Sequence, residues 1–184
     1  MSAERKRGIP DLEYISNIAR KTTLANGHHA PTLIVVGEMK GEIIQLQFED
    51  ADSNARQSLM KVIGMDMAMQ KRLGELRRLF LVTEGWLEKQ EKPLEEITPP
   101  PDDLNRIEIL VIAKLDLPTN QAAMKIYEML RGEDGGLREL VQVDLDEPEG
   151  KTRAYLLEKF AEGYQSTKAY RKGRTNQNGG QKSR

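Results

Sequence analysis

Apolar positions along this chain fall first at helical spacing and then at strand spacing, and the switches between the two periods lay out the fold. Leu12, Ile15, Ile18 and Ala19 form one stripe of a helix predicted over Asp11 to about Ala25. Pro10 suits its first turn, and Asn26-Gly27 suits its end. The period then changes. Thr32 to Val36 is a short run, β-branched at four of its five positions, and Pro31 fixes its start. Ile43 to Phe48 alternates, with Ile44, Leu46 and Phe48 on one face and Gln45 and Gln47 on the other. Gly37-Glu38-Met39-Lys40-Gly41 between them predicts a hairpin.

A capping cluster, Asp50-Ala51-Asp52-Ser53, opens a long helix predicted to reach about Glu75. Its expected buried stripe is Ala55, Leu59, Val62, Ile63, Met67 or Met69, and Leu73. Arg77 to Leu87 reads as a strand carrying the single Trp. Residues 88–105 break the pattern. Pro99-Pro100-Pro101 favours polyproline II and forbids helix, and so long a stretch without an element is expected to be a mobile or functional loop. Ile107 to Leu115 is an apolar strand. Gln121 to Arg131 fits both periods: Ala122, Ile126, Met129 and Leu130 suit a helix, while Met124, Ile126 and Glu128 alternate. The turn Glu133-Asp134-Gly135-Gly136 before the strand Leu137 to Leu145 decides for a second hairpin. Lys151 to Gly163 predicts a terminal helix with Tyr155, Leu156, Phe160 and Tyr164 inward, and the composition after Ser166 predicts disorder.

The order is helix, hairpin, long helix, strand, loop, strand, hairpin, helix. It predicts an α+β fold with a single antiparallel sheet of about five or six strands. A long helix packs on one face, with further helices at the two ends. Residues 10–165 form one domain, residues 1–9 a mobile N-terminus and residues 166–184 a disordered basic tail. Over roughly residues 10–165 the order resembles the profilin-like and roadblock-type arrangement, which implies a sheet between helices. The long proline segment and an extra strand depart from that pattern. The resemblance carries no motif and no functional residue.

Composition narrows the chemistry. With 38% hydrophobic and 31% charged residues, the 184-residue chain supports one core. Aromatics at 5% are too sparse for stacking platforms along single-stranded nucleic acid. The lack of cysteine excludes disulfides, thiol nucleophiles and Cys-ligated zinc. No run approaches the roughly 18 apolar residues of a membrane span, and the charged N-terminus is followed by no apolar signal core. The expectation is a cytoplasmic protein that does not enter the membrane. The net charge of −1 conceals an asymmetry: the first 165 residues hold 22 of the 28 basic residues and all 29 acidic ones, a formal charge of −7.

No P-loop, GxGxxG, GxSxG or kinase signature marks a reaction. Adjacent His28 and His29 do not lie on the same face of a strand or a helix, so they do not chelate together in regular structure. A metal would need Glu84, Asp102, Asp103 or Glu108 as well. The plainer reading leaves one histidine exposed and bonds the other to a backbone carbonyl at the start of the hairpin. Glu84 shares a strand face with Phe80, Val82 and Trp86. Desolvated there, it would serve as an acid or base, unless it reaches water or pairs with Arg78 or Arg106. Gly85 next to it marks a bulge or a close backbone approach. Asp102-Asp103, with Arg106 and Glu108, offers the paired carboxylates of a Mg²⁺ site; the plainer reading is a solvated turn, with Arg106 and Glu108 paired to each other. In the tail, Lys168, Arg171, Lys172 and Arg174, with Tyr164 and Tyr170 among them, suit salt-dependent contact with phosphate backbones, or simply solubilise. The acidic body speaks against a nucleic-acid face on the domain itself.

These readings point to a non-enzymatic interaction or assembly protein without a cofactor. It meets a protein partner or its own copy through a sheet edge or through the helix that carries Met60, Met65, Met67 and Met69. Two alternatives stand beside it. One is a small metal-dependent hydrolase using His28 or His29 with Glu84, Asp103 or Glu108 and with Arg106 nearby. The other is a nucleic-acid accessory factor acting through the basic tail.

Overall fold

Asp11 starts the first helix by accepting the Tyr14 N–H at 2.7 Å, and Gly27 ends it by turning left-handed, at φ +77°. This helix, α1 (Leu12–Asn26), opens a computed structural model that describes residues 9–48, 52–70, 72–88, 106–143 and 154–179. The hairpin β1 (Thr32–Gly37) and β2 (Gly41–Gln45) follows, then α2 (Ser53–Met69), β3 (Leu76–Glu88), β4 (Arg106–Asp116), β5 (Gln121–Arg131), β6 (Leu137–Val143) and α3 (Tyr155–Gly179). The order and type of these elements match the sequence expectation, including the second hairpin, β5–β6. The proline segment and Asp102-Asp103 lie outside the described residues, as do residues 1–8 of the expected mobile N-terminus. Among the described residues no helix is long and apolar enough to cross a membrane.

The six strands form one antiparallel sheet in the order β2-β1-β3-β4-β5-β6. Because side chains alternate along a strand, the register divides the core in two. One face presents Val36, Phe80, Val82, Leu110, Ile112, Tyr127, Met129 and Leu140, and α1 closes it with Ile15 and Ala19. The opposite face presents Leu33, Val35, Leu79, Leu81, Ala113 and Leu115 to Met60 and Met67 of α2 and to Leu157, Phe160 and Tyr164 of α3. Leu46 and Phe48 are buried in that second cluster, so the alternation past Gln45 holds although the ladder of β2 is shorter than expected.

The helices depart from the expected stripes. In α1, Ile18 is exposed, and Ser16 and Thr23 are buried instead. The Thr23 hydroxyl is satisfied by donating to the Ala19 carbonyl at 2.8 Å. In α2 the buried line is Met60, Gly64 and Met67; of the expected stripe Met67 is buried and Leu59 and Ile63 pack half-buried against the core, but the centre of the line is shifted to Met60 and Gly64. Val62 and Met69 face outward, and Ala55 is exposed. The expected helix to Glu75 ends at Met69, because Gln70 turns extended and Gly74 adopts φ +73°. Leu73 is still buried, but from the loop.

The reason for the phase shift is α3. It lies against β3 and β4, and α2 packs along it. Contacts from Gln57 to Tyr155, Lys61 to Glu162 and Ala68 to Arg171 show the two helices running in the same direction. A Cβ on Gly64 would collide with the Phe160 carbonyl, and a Cβ on Gly163 would collide with that of Lys61. Reciprocal glycines therefore set the closest approach, and α2 must turn Gly64 inward. The same contact keeps Gly163 inside the helix rather than ending it. Ser166 to Gly179, expected to be disordered, continue α3. Lys168 pairs with Glu75 at 2.5 Å, and Arg171 donates to the Ala68 carbonyl at 2.7 Å. The last turn of α2 contains no basic residue of its own, so Arg171 supplies the cation that its exposed carbonyl end favours.

Candidate functional site

Glu84 and Glu108 reach the same sheet face by parity. Glu84 lies opposite Leu110 and Glu108 opposite Trp86 in the β3–β4 register. This is the face that α1 covers, and the end of α1 arrives beside them with His28 and His29. Four of the candidates thus meet in one region, where the sequence reading required them to meet for chemistry.

Each is held by a structural contact. The Glu84 carboxylate accepts the backbone N–H of His29, tying the start of β1 to β3. It does not pair with Arg78 or Arg106, the partners expected of it. The Glu108 carboxylate is gripped by the Arg131 guanidinium in a two-pronged contact, at 2.6 and 2.7 Å. Arg131 also donates to the Gly27 and Gly135 carbonyls at 3.2 and 3.3 Å. It thereby links β4, the end of α1 and the β5–β6 turn. Glu108 raises the Arg131 pKa; partial burial opposes this, and Glu84 adds a weaker attraction. Sequence reasoning missed Arg131 altogether. It lies opposite Leu137 at the bulge that ends the β5–β6 ladder, and its reach to Glu108 depends on the pairing of β4 with β5.

The histidines follow the plainer expectation: His28 is exposed and His29 meets a backbone carbonyl at the start of the hairpin. His28 Nδ1 lies 3.1 Å from the Asn26 carbonyl, and His29 Nδ1 lies 2.8 Å from the Ala30 carbonyl. His28, though exposed, meets a carbonyl as well. A carbonyl only accepts, so these contacts place the ring proton on Nδ1. Among the described residues no three His, Asp or Glu side chains gather as a metal site requires. Arg106 does not pair with Glu108, and its Nε is buried without a hydrogen-bond partner among the described residues. Gly85 stays within the β3–β4 register, so it is neither bulged nor closely approached. Trp86 is exposed beside Glu108.

Lys168 and Arg171 of the expected tail are likewise drawn into the body. Lys168 sits over the Tyr164 ring at 5.9 Å while pairing with Glu75, which raises its pKa. Lys172 and Arg174 fall in the following turns of α3. The cleft between these residues and the end of α2, lined by Met67, Gln70, Glu75, Tyr164, Lys168 and Arg171, holds 260 Å³. That is slightly below the roughly 300–1,000 Å³ of a small-molecule site.

What remains unused is apolar. Val62, Met65 and Met69 recur at helical spacing along the outer side of α2 and are 60, 43 and 61% exposed. Ile43 on β2 is 73% exposed. No protein-family model, curated protein or solved structure matches the chain, and the likeness of element order to profilin-like and roadblock-type proteins gains no support from them.

Proposed function

We propose that this chain is a non-enzymatic interaction or assembly protein, with the outer side of α2 as its principal partner-binding surface. The observation that carries the reading is the Val62–Met65–Met69 stripe. It stands exposed on a helix whose inner side is packed against α3. Methionine is flexible and polarizable, and suits a surface that must fit a partner by repacking. Supporting this, Glu84, Glu108 and Arg131 are committed to holding the α1–β1 connection, and His28 and His29 to backbone carbonyls.

Methionine oxidation tests the reading, because the helix contains its own references. Met60 and Met67 are buried, while Met65 and Met69 are open to peroxide. Brief peroxide treatment of purified protein is expected to oxidise Met65 and Met69 before Met60 and Met67. In the cells that make the protein, both are expected to be shielded relative to the purified chain. Equal oxidation in the two settings would overturn the reading.

A further inference from the structure

We propose that β2 is a pairing strand, through which a second copy of this chain extends the sheet across a two-fold axis. This rests on the interaction reading and names one partner for it. The backbone is the first ground. Gly37 N–H donates to the Lys40 carbonyl at 3.0 Å and Leu46 N–H to the Pro31 carbonyl at 2.7 Å. Even-numbered residues of the hairpin's second arm therefore turn their peptide groups toward β1. Since the ladder alternates, Gly41, Ile43 and Gln45 turn theirs off the sheet. β2 is the terminal strand, and no described strand meets it on that side.

The second ground is the contrast between the two edges. At the other edge, β6 presents Arg138 and Glu139, its register with β5 breaks at Leu130/Arg131, and α1 packs along it. Charges, bulges and covering elements are how natural sheets block edge pairing. β2 has no bulge and, among the described residues, no helix packed along it. Its register with β1 is unbroken and its sequence, Gly-Glu-Ile-Ile-Gln, contains no Lys, Arg or Pro. The single charge, Glu42, points to the face opposite Ile43 and is neutralised by Arg72 at 2.5 Å.

The third ground is self-complementarity. An antiparallel two-fold centred on Ile43 sets Ile43 against its copy and Gly41 against Gln45. Three hydrogen-bonded pairs then exchange on the order of six backbone bonds. Glu42 falls opposite Ile44 of the other copy, so no like charges face each other across the seam. The two Ile43 side chains, exposed in the single chain, meet at the axis and cover each other and the half-buried Ile34 beside them.

Sedimentation equilibrium of the full chain, from micromolar to near-millimolar concentration, tests this with three variants. Ile43→Lys puts a charge at the axis on a side chain that packs against little. Gln45→Pro deletes one outward N–H and leaves the bonds to β1 in place. Val62→Asp alters the α2 stripe instead. The wild type and Val62→Asp are expected to form dimers, and Ile43→Lys and Gln45→Pro to be monomers with unchanged circular dichroism. A wild type that stays monomeric, or a dimer that survives either β2 variant, overturns the pairing. A dimer lost only in Val62→Asp overturns it too, while leaving the α2 interaction reading intact. Methionine shielding judges that reading separately.

Discussion

Gly64→Ala separates helix propensity from packing, because the two predict opposite signs. In an exposed helix the change would stabilise by about 0.5–1 kcal/mol, since alanine has less backbone freedom to lose. Here a Cβ at Gly64 collides with the Phe160 carbonyl and comes within 3.0 Å of its carbon and 3.1 Å of the Tyr164 nitrogen. All three are backbone atoms of α3, so no side-chain rotation relieves the clash and the helices must part. Parting them loosens Met60, Leu157 and Phe160, which have no exposed surface. Overpacking of this kind costs about 1–3 kcal/mol, which outweighs the propensity gain. We expect a net loss of about 1–2 kcal/mol, or a drop of roughly 0.5–1 M in the urea midpoint at an m-value near 2 kcal/mol/M. Gly163→Ala acts on the reciprocal contact with the Lys61 carbonyl. Once the helices have moved apart for one alanine, the second fits more easily, so the double variant should lose less than the sum. A Gly64→Ala protein as stable as the wild type or more so would refute the close approach, and with it the reason given for the phase of α2.

Two further outcomes follow from the polar contacts. Glu84→Ala leaves the His29 N–H without its acceptor and should cost about 1–3 kcal/mol, with faster amide exchange at His29, while Glu84→Gln, which keeps an acceptor oxygen, should cost less; unchanged exchange in Glu84→Ala would remove Glu84 from its structural role. Lys61 and then Lys159 hold the Glu162 carboxyl down to about 2. Its folded pKa lies below its unfolded value, so its contribution is present above about pH 4.5 and is lost as the pH falls toward 2. Asp116 acts in the same direction: burial pushes it up, but Lys114 and Arg78 outweigh burial and keep its pKa below the ordinary 3.8. Lys61→Ala should raise the Glu162 pKa in an NMR titration, and a value that stays near 2 would contradict the assignment.

The elements were legible in the sequence because each is locally specified: Asp11 and Asp52 cap helices, Gly27 ends one, and strand alternation runs unbroken through Ile44, Leu46 and Phe48. The phase of α2 was not legible. Hydrophobicity alone favours Val62 inward, whereas the helix turns Gly64 to its neighbour because only glycine lets two backbones touch. The extension of α3 past Ser166 was hidden for a related reason. Its composition is that of a disordered tail, and the contacts that hold Lys168 and Arg171 come from residues about a hundred positions earlier. At the candidate site, strand alternation put Glu84 on a face with Phe80, Val82 and Trp86, and the β3–β4 register then brought Glu108 to that face. Their partners, His29 and Arg131, lie 55 and 23 positions away and depend on the registers of the whole sheet.

That the sheet is built to continue across β2 is tested most directly by amide hydrogen exchange at single-residue resolution, followed against protein concentration. Ile44 donates toward β1 and should be protected at every concentration. Ile43 and Gln45 should exchange freely in dilute protein and become protected as concentration rises, in step with the dimer fraction. Free exchange at Ile43 and Gln45 in samples that are dimeric by sedimentation would contradict the account.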